Sequence, residues 1–224
     1  MTRLVILPGT DGTGVLLREF VAALGDLDSL VISYPAGRIL GYEQLAEFVR
    51  PQLPTSEPYF LLGESFGGPL VILLAAQSSL CVGVILCASF ARYSSPLRAL
   101  APLVALVPIR VIPLRVMSWF LLGRWSTPSL RAQLAHALSN VLPSVLRARI
   151  LAALQVNATP QLQAIGVPLL YLQASHDRIV QASVGRGIAS SLPRATLAQV
   201  SGPHLLLQVA PQACAAEVRR HVGC

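Results

Sequence analysis

Lysine is absent from this 224-residue chain, so all 17 basic residues are arginines. A base-composition bias of the genome accounts for that more simply than function does. Charged residues are scarce at 12%, and hydrophobic ones reach 54%. That balance excludes a disordered chain, because most of the sequence must pack. Cysteine is also scarce: Cys81, Cys87, Cys214 and Cys224 form no C-x-x-C pair and no metal-like spacing. A zinc module and a disulfide framework are therefore not expected, and Cys81 and Cys87 sit in apolar runs as small core residues. The start, MTRLVILPG, enters a strand at once without a leader pattern, so a reducing cytoplasm is the expectation. The length suits one α/β domain.

Residues 99–122 are apolar over enough positions to span a bilayer. Pro102, Pro108 and Pro113 interrupt the run, and Arg110 and Arg115 lie within it. Each central arginine costs a few kcal/mol in a membrane helix. A buried or interfacial helical pair is expected instead, with no transmembrane segment.

Short apolar runs alternate with longer amphipathic ones. Strands are predicted at residues 4–7, 30–34, 59–62, 82–87, 168–172 and 196–200. They are rich in Val, Ile and Leu without alternation, as strands buried on both faces of a parallel sheet are. Helical patterns lie between them at 15–24, 42–53, 66–78, 179–190 and 205–222. Repeated strand–helix–strand units mean right-handed crossovers and a mostly parallel, doubly wound sheet of about six strands. The alternation stops near residue 90 and resumes near 165. The expected organisation is a core of residues 1–90 and 161–224, with residues 91–160 inserted before the penultimate strand as a helical cap.

After the third strand stands Gly63-Glu64-Ser65-Phe66-Gly67-Gly68, a match to G-x-S-x-G. Glycines let a tight strand-to-helix turn close while the serine hydroxyl stands clear. At ~7% glycine this spacing arises by chance about once in fifteen to twenty chains of this size, so context decides. Here the motif follows the strand PYFLL and opens the apolar helix FGGPLVILLAAQ. A nucleophilic serine needs a base, and the base an orienting carboxylate, in the chain order Ser, Asp, His. Asp177 follows the strand VPLLYLQA, and His204 follows the strand ending at Val200, so both should project from the sheet edge that carries Ser65.

Each assignment has a competitor. Asp177 also suits a helix cap before Ile179. His176 is a rival base in the wrong chain order. His136 and His221 read as surface residues, and Glu64 as structural, pointing away from Ser65.

The early loop LPGTDGTG admits two readings, a phosphate cradle or an oxyanion hole. Dinucleotide binding wants G-x-G-x-x-G with an acid near the end of the next strand. Here Gly9, Gly12 and Gly14 reverse that spacing, and SLVISYPAG supplies no acid. The oxyanion reading is preferred, with backbone donors from Thr10 and Phe66 and with Asp11 shaping the loop.

With LPGTDGTG, GESFGG, SHDRIV and SGPHLLL in place, the chain resembles an α/β-hydrolase of the serine esterase type over nearly all its length. It is similar to the pimeloyl-carrier-protein methyl ester carboxylesterases and related small-ester hydrolases. Pro8 stands where many members have histidine, the histidine turn reads GPH, and one or two edge strands of larger members are missing. The resemblance implies hydrolysis of short- to medium-chain carboxylic esters through an acyl-enzyme on Ser65, with no cofactor and no metal. Thioesterase or acyltransferase chemistry on the same triad is the alternative, and a non-catalytic binding protein is the competing class.

Residues 91–160 hold eight arginines, Arg92, Arg98, Arg110, Arg115, Arg124, Arg131, Arg147 and Arg149, and no Asp or Glu. The rest of the chain sets nine arginines against ten acids. A solvated helix face and an anionic partner (a carrier-bound or acidic substrate, or an anionic membrane) both fit that excess. No nucleic-acid-binding module is recognisable.

Overall fold

The computed structural model describes residues 2–93 and 112–223. Six strands form one sheet: β1 (Arg3–Leu7), β2 (Ser29–Val31), β3 (Tyr59–Glu64), β4 (Cys81–Cys87), β5 (Leu169–Ala174) and β6 (Ala195–Val200). Their order is β2-β1-β3-β4-β5-β6, and every pairing is parallel. The order runs outward in two directions from β1 and β3, which is double winding.

The absence of alternation in the strands now has its reason. Val5, Leu7, Leu61 and Leu86 pack on one face against α2 (Tyr42–Val49) and α3 (Gly67–Ala75). Leu4, Ile6, Leu62 and Ile85 pack on the other face against α1 (Arg18–Ala23) and α10 (Pro211–Val222). Both sides of each central strand are core, so both must be apolar.

The chain from 112 to 164 folds as four helices between β4 and β5: α4 (Leu114–Leu121), α5 (Pro128–Ser139), α6 (Pro143–Gln155) and α7 (Thr159–Gln163). Proline opens α5, α6 and α7 within their first turns, where its missing N–H is no loss. Thr127 caps α5 by accepting from Leu130 N at 3.1 Å. Ala158 N donates to Ala91 O at 2.9 Å, and Arg92 pairs with Asn157 in an isolated antiparallel bridge, so the chain just after β4 meets the chain just before α7.

Several boundaries differ from expectation. The helix expected at 179–190 is α8 (Ala182–Ser191), because Asp177 ties up the N–H groups of Ile179 and Val180 in a turn first. The single helix expected at 205–222 is α9 (Leu206–Val209) followed by α10, since Pro211 starts a new helix. The second strand stops at Val31 rather than at Tyr34, whose N–H turns to Gly12 O at 2.7 Å. Pro96, Arg98, Pro102, Pro108 and Arg110 lie outside the described residues. Of the apolar run 99–122, residues 112–122 are described and contain α4, eight residues long. Among the described residues no single helix is long and apolar enough to cross a membrane.

Candidate active site

The turn between β3 and α3 is strained where the serine sits: Ser65 has φ of 48°, a left-handed conformation costly for a non-glycine residue. Its neighbours explain how the strain persists. A Cβ on Gly67 would lie 2.5 Å from Leu7 O, and one on Gly63 would lie 2.6 Å from Gly67 O. Only glycine lets β1, β3 and α3 close this tightly. Ser65 N donates to Cys87 O at 2.9 Å, and Ser89 Oγ donates to Ser65 O at 2.5 Å. The elbow is thus tied to the end of β4.

From this turn the Ser65 hydroxyl reaches His204 Nε2 at 2.8 Å. His204 Nδ1 lies 2.8 Å from Asp177 Oδ2 and 3.0 Å from Oδ1. With the proton on Nδ1, His204 donates to the carboxylate and accepts from the serine hydroxyl. His204 follows β6 and Asp177 follows β5, so three parallel strands deliver three side chains to one edge. Asp177 also accepts from Ile179 N at 2.7 Å and Val180 N at 2.8 Å. The turn-capping role and the histidine contact coexist on one carboxylate.

Burial disfavours a charge on His204, but the adjacent Asp177 carboxylate and its hydrogen bond outweigh it and hold the imidazole pKa above its ordinary value. Glu64 is buried beside them, and burial pushes its carboxyl up to about 7, partly offset by the hydrogen bond from Gln208.

Phe66 is the cap residue of α3, and the first N–H groups of a helix have no acceptor within it. On the opposite side, Gly12 N donates to Gly9 O at 3.0 Å, a turn that leaves the Thr10 N–H out of its own hydrogen bond. Asp11 shapes this loop, accepting from Thr13 N at 3.0 Å and Thr13 Oγ1 at 2.5 Å. Thr10, Ser65, Phe66 and His204 all line one cavity of about 590 Å³. Its remaining described walls are apolar, from Phe90 and Ile179 on the sheet side to Met117, Leu146 and Ile150 on the helices above.

The chain matches the serine aminopeptidase S33 family over residues 40–206. It belongs to that family. The fold is that of the α/β-hydrolases. An enol-lactonase from Burkholderia xenovorans LB400 superposes with a TM-score of 0.87 at 18% identity, covering 100% of this chain and 92% of that one. A thermophilic esterase from Thermogutta terrifontis gives 0.83 at 18% identity, covering 100% and 90%. A bromoperoxidase from Bacillus anthracis gives 0.83 at 16%, covering 100% and 92%. No curated protein sequence matches the chain.

In this S33 hydrolase the structure brings together all five residues singled out from the sequence, Ser65, Asp177, His204, Thr10 and Phe66. It keeps the rivals apart from them. His176 is exposed, bonded to Ser175 Oγ and packed on Trp125, while His136 is exposed on α5. His221, expected on the surface, is half-buried against Phe60 because α10 packs on the sheet, and burial lowers its pKa.

Four supports were not foreseen. Tyr34 and Tyr42 donate to Pro8 O and Phe66 O, each at 3.0 Å, bracing both proposed donor segments. Ser89 braces the elbow. Arg149 is buried and donates to Thr10 O at 3.0 Å, Asp11 O at 2.7 Å and Pro35 O at 3.0 Å. The signal for Arg149 was its place in α6: it falls four and three residues after the buried Val145 and Leu146, on the apolar stripe. Arg149 therefore leaves the set of arginines able to meet an anionic partner.

Proposed function

We propose that the protein is a serine carboxylesterase acting on short- to medium-chain esters. The observation that carries the reading is the continuous chain from Ser65 Oγ through His204 to Asp177, with both links at 2.8 Å, opening into an apolar cavity. Ser65 Oγ attacks the ester carbonyl carbon as its proton passes to His204 Nε2. The tetrahedral oxyanion takes the N–H groups of Thr10 and Phe66, each typically worth about 3 kcal/mol. The carbon–oxygen bond of the leaving alcohol then breaks, and the alcohol takes the proton from His204. Water repeats the sequence on the acyl-enzyme and frees the acid.

The family description includes aminopeptidases, whose substrates carry an α-ammonium group. Among the described residues lining the cavity there is no Asp or Glu to hold one, which favours a neutral acyl group. A volume of about 590 Å³ suits a medium chain. The helices between residues 112 and 155 act as the cap that roofs it. The free Cys81, Cys87 and Cys214 fit the reducing cytoplasm.

The test is hydrolysis of p-nitrophenyl acetate, butyrate, octanoate and palmitate beside Ser65→Ala, with an aminoacyl p-nitroanilide as the peptide-like arm. Turnover should peak at short or medium chains and fall by several orders of magnitude in Ser65→Ala. Equal activity in Ser65→Ala, or turnover confined to the anilide, would overturn the esterase reading.

A further inference from the structure

Helix α4 turns the wrong kind of face to solvent. Leu114, Ser118 and Leu121 point inward, where the two leucines join a cluster with Leu134 and Leu205. Outward stand Val116 at 44% exposure, Trp119 at 55% and Phe120 at 41%. A solvated helix face is ordinarily polar. Single exposed hydrophobics need no account, but three large ones in one turn make a patch. The Trp119 and Phe120 rings lie edge to face, 4.8 Å apart. Val116 and Phe120 also border the cavity that holds Ser65, so the patch is continuous with its mouth.

The rim of the patch is cationic. Arg115 is exposed on the same helix. The Arg178 guanidinium lies 4.1 Å from the centre of the Trp119 ring and donates to Trp119 O. Arg124 is exposed and lies 4.2 Å from the Trp125 ring. From Ser65 to His176 the chain contains no Asp or Glu at all, so no acid within that stretch neutralises the rim.

We infer that α4 docks on an anionic phospholipid bilayer. Val116, Trp119 and Phe120 enter the headgroup boundary while Arg115, Arg124 and Arg178 meet lipid phosphates. Arginines alone suit any anion. The apolar face between them selects a surface that accepts apolar side chains beneath a layer of phosphates. Resting on the esterase reading, this docking deepens it: the cavity mouth faces the lipid, and the substrate class becomes lipophilic esters that partition into the bilayer.

The chain has two tryptophans, so Trp125→Phe leaves Trp119 as a reporter within the patch. This variant is mixed with vesicles of phosphatidylcholine alone and with phosphatidylglycerol added. Three arginines near an anionic surface give an expected preference of about a hundredfold for the anionic vesicles. On binding, Trp119 emission should shift to the blue and be quenched by brominated acyl chains. Separately, Trp119→Asp should weaken vesicle binding about tenfold or more and slow hydrolysis of a bilayer-dissolved ester, while turnover of p-nitrophenyl acetate stays unchanged. Arg115→Gln with Arg124→Gln should erase most of the anionic preference.

No binding to anionic vesicles, or binding that leaves Trp119 in water, overturns the inference. Capture of an acidic acyl carrier protein without vesicle binding overturns it in favour of a protein partner. Vesicle binding is also measured on Ser65→Ala. Binding retained by a chain without esterase activity in the wild type sinks the esterase reading alone, and esterase activity without binding sinks the docking alone.

Discussion

Two opposing effects meet on the His204 imidazole. Burial favours the neutral ring, and Asp177 at 2.8 Å favours the charged one. The carboxylate wins, so His204 takes up its proton at a pH above the ordinary imidazole value of about 6.5. In the proposed role of general base, His204 works only when neutral. The acid limb of kcat/KM is therefore expected above pH 6.5, with activity lost as pH falls through it. Asp177→Asn removes the winning effect and leaves burial, so that limb should move to lower pH. Its kcat should also fall by about 10²–10⁴, because an amide no longer holds the Nδ1 proton in place. A pH–rate profile of both proteins reads the two effects; an unmoved limb would mean that Asp177 does not set the His204 charge.

At the scale of elements, the proposed oxyanion loop is held by a helix distant in sequence. Arg149 on α6 reaches three carbonyls of the loops after β1 and β2, and its cation lies 5.4 Å from the centre of the Tyr34 ring. Burial lowers its pKa, while the neighbouring Tyr34 and Asp11 favour its charge. A planar guanidinium can serve several carbonyls at once, and an ammonium cannot. Arg149→Met is thus expected to lower kcat by about tenfold or more with KM little changed, since a displaced Thr10 N–H is felt mainly in the transition state. Arg149→Lys should recover only part of the loss. Steady-state kinetics with thermal melts alongside check this, and wild-type kcat in both variants would separate the helix from the loop. Gly12 shows the same fit from the other side: a Cβ there would lie 2.5 Å from the Arg149 guanidinium.

For the whole molecule, two buried groups whose ordinary pKa lies below neutral, Glu64 and His204, bind protons more tightly when folded. Glu64 rises to about 7, and His204 rises above its ordinary value. A group with a raised folded pKa holds more protons in the native state, so each makes stability fall as pH rises. For Glu64 the window runs from its unfolded value of about 4.5 to about 7. The groups facing it are Gln208, Asp11 and His204. Glu64→Gln cannot ionise, so it should lose that downward slope and exceed the wild type by about 3 kcal/mol at pH 8. Denaturant titrations at pH 4.5, 6 and 8 compare the two. A constant difference across that range would show that Glu64 does not titrate there.

Much of this molecule is readable from local pattern. Strands buried on both faces are continuously apolar, a strained elbow requires glycines, and a triad in this fold has a fixed chain order, so the sheet and Ser65, Asp177 and His204 were legible as residue types at spacings. Helix ends were less so, because a side chain such as Asp177 can claim backbone N–H groups that a helix would otherwise use. Whether an arginine is buried or exposed was legible only faintly, from the apolar stripe on which Arg149 falls. Arg149 and Arg115 look alike in sequence, yet packing turns one onto three carbonyls and leaves the other in solvent. The same holds for Glu64, whose pKa depends on what encloses it. Charge and apolar periodicity are properties of the chain; burial, and with it the energy of every charge, arises only when distant elements meet.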